Sequence, residues 1–220
     1  MREIALRWIT PDDLNAHLLR YRLSEWLTGD ELRLLGRLRS PRRRRDWLAG
    51  RLAAKELIQA THALPLREIE ILPDAHGAPE PRCVNVALSI AHSAGHALAA
   101  LGPAGRSVGV DLQQIRLVRG DLASRILSER EQRQLVALTP LLSPVVTYGR
   151  GGPAGRGEGL CIFWALKEAA LKAWRTRPVP PLREIAVTLT ESGHAEIQMR
   201  SRKLTARWGR WRDFIWAWAG

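Results

Sequence analysis

Apolar positions recur at helical spacing between residues 30 and 62. Leu32, Leu35 and Leu38 make one set; Trp47, Leu48, Leu52, Leu57 and Ile58 make a second. Asp30 stands where an N-cap would, and Ser40-Pro41 predicts a break into two helices. Residues 66–72 (LREIEIL) alternate as a strand does. A Gly and two Pro make 74–82 (DAHGAPEPR) a turn. The apolar stretches VNVALSIAHS and HALAAL follow, then a Gly-Pro-Ala-Gly turn at 102–105 and a strand SVGVDL.

The second half repeats the theme. Residues 121–138 read as helix, with Ser128 and Glu131 spaced as a capping pair. The run GRGGPAGRGEG, 149–159, reads as a glycine-rich loop. A strong helix is expected over 160–175, and strands over 184–190, 195–199 and 213–218. Each half offers helix plus strands, and the boundary falls near 102–107. The two halves show no close sequence repeat, so a duplication has to be sought in structure.

Residues 162–174 (IFWALKEAALKAW) carry ten apolar residues out of thirteen, the pattern of a buried helix. Lys167, Glu168 and Lys172 interrupt it. At about 100° per residue, Glu168 lies about 40° from Lys172 and on the side of Trp164, with Lys167 flanking it on the other side. A self-contained Glu168–Lys172 pair is one explanation. It leaves one charge over, and a further carboxylate, Asp111, ends the apolar strand SVGVDL. Two carboxylates on separate elements can hold a hard cation such as Mg²⁺ while lysines bind phosphate oxygens.

Composition narrows the classes. The chain has 220 residues, 45% of them hydrophobic, enough for a globular core. No apolar run reaches the roughly 18 residues of a membrane span. MREIALRWITPDD has no apolar h-region, so no secretion signal is expected. Cys83 and Cys161 lack metal-ligand spacing and read as reduced thiols of a cytoplasmic protein. His92 and His96 stand four apart, but no third zinc ligand is evident. A net charge of +12 favours anionic partners. Nine tryptophans allow a stacking role on nucleic acid, but Trp208, Trp211, Trp216 and Trp218 fit strand packing better.

GVDLQ at 109–113 and FWALKEAALKAW at 163–174 resemble the two signature motifs of the Sfp-type 4′-phosphopantetheinyl transferases, G-[IV]-D-x-E and W-x-x-K-E-[AS]-x-x-K. Trp164, Lys167, Glu168, Ala169 and Lys172 match every fixed position of the second. RDWLAGRLAAKELI (45–58) is similar to the family's AGR helix, and HGAPEPRCVNVALSIAHS (76–93) to its G-K-P turn and S-H-S segment.

The resemblance implies an α+β fold of two similar halves in pseudo-twofold relation, with a cleft between them, in a monomer. The halves would be 1–105, contacting the coenzyme A nucleotide, and 106–220, carrying the metal centre and carrier-protein contacts. It implies transfer of phosphopantetheine from coenzyme A to a serine of an apo acyl or peptidyl carrier protein, with no nucleic acid or membrane partner. Asp111 and Glu168 would ligate Mg²⁺, with Gln113 as a neutral third ligand. Glu168 and Lys172 would be catalytic. Lys172 and Lys167 would meet the pyrophosphate. Arg33, Arg51, Gly77, His92 and Ser93 would contact coenzyme A, and 175–206 would help receive the carrier. Gln113, Ala78 and Ala91 replace the usual Glu, Lys and Ser. These departures leave open a silent homologue that binds without transfer, and the net charge leaves open a nucleic-acid-binding protein.

Overall fold

The computed structural model describes residues 4–115, 120–138, 156–190 and 193–220. It is a mixed α+β structure that divides into two compact units, Met1–Val110 and Asp111–Gly220. Among the described residues no helix is long and apolar enough to cross a membrane.

The first unit is a helix on an antiparallel sheet. Its elements are β1 (Ala5–Ile9), α1 (Pro11–Arg20), α2 (Gly29–Arg37), α3 (Pro41–His62), the ribbon β2 (Ile71–Pro73) and β3 (Pro79–Pro81), then β4 (Val86–Ser93) and β5 (His96–Pro103). The sheet order is β1-β5-β4. Alanines of β5 (Ala97, Ala99) and α3 (Ala49, Ala53) are fully buried between helix and sheet, so the two backbones pack closely. Gly50 marks the tightest approach, since a Cβ there would lie 2.8 Å from Ile90 Cγ2. The β4–β5 hairpin turns through Ala94 and Gly95, both at positive φ, as a two-residue loop between twisted strands requires.

The break at Ser40-Pro41 falls as expected: Ser40 caps α3 and Pro41 takes its first turn. Two expectations need correction. Thr28, not Asp30, caps α2; its hydroxyl accepts from Glu31 N while Thr28 N donates to Glu31 Oε2. Residues 66–72 are not one strand. Leu66–Glu68 forms a 3₁₀ turn after Pro65, and β2 starts only at Ile71. The Leu66 carbonyl is engaged by a buried lysine, as described below.

The second unit places α6 (Arg156–Trp174) across a five-stranded sheet of order β6-β10-β9-β8-β7. The strands are β6 (Gly109–Gln114), β7 (Ala186–Leu189), β8 (His194–Met199), β9 (Arg202–Trp211) and β10 (Phe214–Ala219). The helix expected over 121–138 is two, α4 (Gly120–Ile126) and α5 (Glu129–Leu138), parted where Ser128 caps the second. Of the expected glycine-rich loop, 149–155 lies outside the described residues, while 156–159 opens α6. β9 has no counterpart in the sequence reading, because arginines and a lysine fill its exposed positions. Trp208 packs on the core as expected. In β10, Ile215, Ala217 and Ala219 enter the core, and Trp216 lies over Gly209, whose Cβ would come within 2.7 Å of the indole.

Both units contain the same buried ion pair. Glu31 of the Thr28 capping box pairs with Lys55 at 2.6 Å and accepts from Ile71 N. Lys55 Nζ also donates to Trp26 O and Leu66 O. Glu131 of the Ser128 capping box pairs with Lys167 at 2.7 Å and accepts from Val187 N. Lys167 Nζ also donates to Ile126 O and Leu182 O. Both sets include a 3₁₀ turn inside the same five residues, Pro-Leu-Arg-Glu-Ile at 65–69 and 181–185. A short repeat is therefore present after all. It is visible in sequence once the lysine contacts show which carbonyls matter.

Candidate active site

The core of the site lies between β6 and α6. Val108 and Val110 bury the strand, and Ser89 Oγ accepts the Val110 N–H at 3.0 Å. Asp111 follows, only 5% exposed. Such a carboxylate requires partners. It has two: Lys172 Nζ donates to Oδ1 at 2.7 Å and Gln113 Nε2 to Oδ2 at 2.7 Å. Gln113 is two residues along the strand, so it shares a face with Asp111. Glu168 and Lys172 stand one turn apart on α6 and present their side chains to the same region. The Glu168 carboxyl titrates above its ordinary value. Burial is the main cause, the negative charge of Asp111 adds to it, and Lys172 offsets part.

Lys167 does not belong to this group, which corrects its expected place at the pyrophosphate. It is fully buried, and its three protons go to Ile126 O, Glu131 and Leu182 O. An ammonium so saturated has no donor left for a phosphate. One residue of helical rotation separates this buried lysine from Glu168.

The recurrence of the buried Glu–Lys pair in both units gives the cluster a built-in comparison. The residue after the buried lysine is Glu56 in the first unit and Glu168 in the second. Strands β1 and β6 occupy the same place beside β5 and β10. β1 supplies Arg7, whose Nε meets Glu56 Oε2 at 2.7 Å. β6 supplies Asp111 instead. One copy neutralises its glutamate, whereas the other sets a second carboxylate near it.

These residues fit a hard divalent cation. Asp111 and Glu168 provide two anionic oxygen ligands whose mutual repulsion a cation would relieve. Gln113 has a neutral carbonyl oxygen left once its amide N–H is on Asp111. Among the described residues no group of three or more His, Cys, Asp or Glu gathers.

The first unit holds a pocket of about 640 Å³. Arg37, Arg43, Trp47, Arg51, Gly77 and His92 are among the residues that line it. Arg51 is 6% exposed, yet among the described residues its Nε and Nη1 have no hydrogen-bond partner. Its guanidinium stacks on Trp47 at 4.5 Å, and Glu31 stands at 3.6 Å. Burial lowers its pKa to about 10 despite Glu31. Buried, unsatisfied donors facing a pocket suit an anionic ligand. His92 Nδ1 lies 3.8 Å from Asp46. Gly77 closes the β2–β3 turn at φ 82°, with Asp74 Oδ1 accepting from His76 N and Ala78 N.

Arg33 and Ser93 are not among the lining residues. Arg33 is exposed and paired with Asp30. His96 pairs across the hairpin with Ser93, so the strand alternation sends it to the face opposite His92. The sequence does not mark Arg37, Arg43 or Trp47 as pocket residues, although Trp47 reads as a helical apolar position. Arg43, Trp47 and Arg51 recur every four residues along α3, a helical stripe that the neighbouring arginines obscure.

The first unit thus holds a basic, aromatic-walled pocket and the second a carboxylate–lysine cluster. A family model described as the 4′-phosphopantetheinyl transferase superfamily matches residues 107–219, and one described as the 4′-phosphopantetheinyl transferase N-terminal domain matches 35–102. The chain belongs to the 4′-phosphopantetheinyl transferase superfamily. Among solved structures it is similar to Thermotoga maritima holo-[acyl-carrier-protein] synthase, with 22% identity and a TM-score of 0.38. That match covers 51% of this chain and 61% of the other, so the chain spans less than two thirds of that relative's length. It is also similar to a Chronobacterium ammoniagenes apo-ACPS structure, at 24% identity and TM-score 0.38, covering 45% of this chain and 93% of that one. An ACPS-CoA complex from the same organism gives 23%, 0.37, 44% and 93%. No curated protein matches the chain.

Proposed function

We propose that this protein transfers the 4′-phosphopantetheine arm of coenzyme A to a serine hydroxyl of an apo acyl or peptidyl carrier protein, releasing adenosine 3′,5′-bisphosphate. The observation that carries the reading is the 2.7 Å contact between Lys172 and Asp111, which sets the buried carboxylate of β6 against the helix that carries Glu168, where the other unit has an Arg–Glu pair. In this reading Asp111 and Glu168 hold Mg²⁺, with the Gln113 carbonyl as a further ligand. When bound, the ion neutralises pyrophosphate oxygens and stabilises the charge that builds up during transfer.

The remaining chemistry belongs to the chain. Lys172 reaches the pyrophosphate oxygens and stabilises the leaving bisphosphate. Glu168, or a water on the bound ion, takes the proton from the carrier serine. The serine oxygen bonds to the β-phosphorus as the bond from that phosphorus to the bridging oxygen breaks. Arg51 and His92, with Gly77 in the adjoining turn, meet the nucleotide phosphate, and Arg37 and Arg43 add to the same basic wall. Arg33 and Ser93 have at most a peripheral part. The segment after Lys172, 175–206, contributes to carrier docking.

In this reading the nucleotide contacts belong to the first unit and the metal and carrier contacts to the second. The buried Glu–Lys pair that recurs in each unit supports two similar halves, and the single chain is taken to act as a monomer. Two free cysteines, Cys83 and Cys161, suit a cytoplasmic enzyme. The test is incubation with coenzyme A, Mg²⁺ and a panel of apo carriers. A carrier should gain the mass of one phosphopantetheine, with stoichiometric adenosine 3′,5′-bisphosphate. Binding of coenzyme A without transfer to any carrier would refute the activity.

A further inference from the structure

We infer that Lys172 is a resident counter-ion: it holds the Asp111 carboxylate in the free protein and passes to the pyrophosphate when the divalent cation takes its place. The inference rests on the cation-site reading above and adds a binding order to it. Both Asp111 oxygens are engaged, Oδ1 by Lys172 and Oδ2 by Gln113, each at 2.7 Å. A Mg²⁺ ion coordinates oxygen at about 2.0–2.1 Å, so it cannot share Oδ1 with an ammonium group without close repulsion between cations.

The two lysines of α6 differ in a way that makes one of them exchangeable. Lys167 is fully buried with three fixed acceptors. The Lys172 side chain is 33% exposed on a flexible stem, so it can leave Asp111 without opening the core. The first unit shows the fixed alternative. Five residues after Lys55 stands Ala60, whereas five after Lys167 stands Lys172. There the counter-charge for the glutamate comes from Arg7 on the strand. In the second unit the cation stands on the helix and meets the strand carboxylate Asp111, from which it can be displaced.

The cation and the coenzyme should therefore bind with positive coupling. Free protein holds the ion weakly because Lys172 competes for Asp111. A pyrophosphate offers Lys172 another anion and releases the carboxylate. Coupling of this kind is reciprocal.

The experiment measures Mn²⁺ binding by electron paramagnetic resonance of the free ion, with and without coenzyme A, for wild type, Lys172→Met and Asp111→Asn. Circular dichroism checks folding. Coenzyme A should tighten Mn²⁺ on the wild type about tenfold or more. Lys172→Met should tighten Mn²⁺ several-fold without coenzyme A and remove most of the coupling. The ¹⁵Nζ resonance of Lys172, assigned by its loss in Lys172→Met, should shift when Mg²⁺ and coenzyme A are added together. Asp111→Asn binding Mn²⁺ as well as wild type would overturn the cation-site reading itself. If Asp111→Asn loses the ion while Lys172→Met keeps the full coupling, the site stands and the hand-over falls. An unmoved Lys172 resonance on loading would also overturn it.

Discussion

Replacing Lys167 by Met separates a structural lysine from Lys172, the lysine proposed for the pyrophosphate five residues away. The methionine nearly fills the volume but removes three donations, at 2.7, 2.7 and 3.1 Å, to Ile126 O, Glu131 Oε2 and Leu182 O. Glu131, 1% exposed, keeps the N–H groups of Ser128 and Val187 but loses its only cationic partner among the interactions described. Removing one member of a buried pair costs about 3–5 kcal/mol, because the other charge stays buried. Two carbonyls left without donors add to this, non-additively. Against a typical domain stability of about 5–15 kcal/mol, the variant should remain folded at low temperature but melt much earlier. Urea denaturation at 10 °C measures the loss. Adding Glu131→Gln should recover part of it, since an amide tolerates burial without a counter-charge. Coenzyme A affinity of the folded variant should stay within about threefold of wild type. A loss below about 1 kcal/mol together with a large drop in coenzyme A affinity would refute the structural assignment and return Lys167 to the phosphates.

Glu168→Gln should abolish transfer and yet stabilise the fold at neutral pH. The folded carboxyl titrates above the ordinary 4.5, so its ionisation costs stability as pH rises from about 4.5 through the raised value, and the cost is absent below 4.5. Thermal melts at pH 4 and pH 7 should show the variant's advantage only at the higher pH; an advantage independent of pH would point to packing. Gly50→Ala should lose about 1–3 kcal/mol, because its methyl would sit 2.8 Å from Ile90 Cγ2, and weaken coenzyme A binding at the adjoining pocket; calorimetric titration beside denaturation checks both, and an unchanged pair of values would mean the helix shifts freely. Gln113→Glu replaces the donor to Asp111 by a third carboxylate. It should lower the Mg²⁺ concentration for half-maximal rate, and a raised requirement would show that position 113 serves Asp111 only as a hydrogen-bond donor.

The sequence alone carried the periodic elements and the chemistry that sits on them. The all-apolar stretch 162–174 had to be a buried helix, so its charges had to have partners, and Asp111 at the end of an apolar strand posed the same demand. Ser40-Pro41 and the Ser128/Glu131 pair act within one turn, so local chemistry sufficed to read them. Tertiary structure decided which partner each charge found. Lys167 and Glu168 are neighbours in sequence, but about 100° of helical rotation sends one to Glu131 in the core and the other toward Asp111. The meaning of Pro-Leu-Arg-Glu-Ile emerged only when Leu66 O and Leu182 O were seen on two buried lysines. Arg51 was expected at the nucleotide from its motif, but its unsatisfied donors and its stacking on Trp47 depend on how α3 packs against the sheet. Periodicity is a property of neighbouring residues, whereas the pairing of buried charges is set by contacts between residues as many as 61 positions apart.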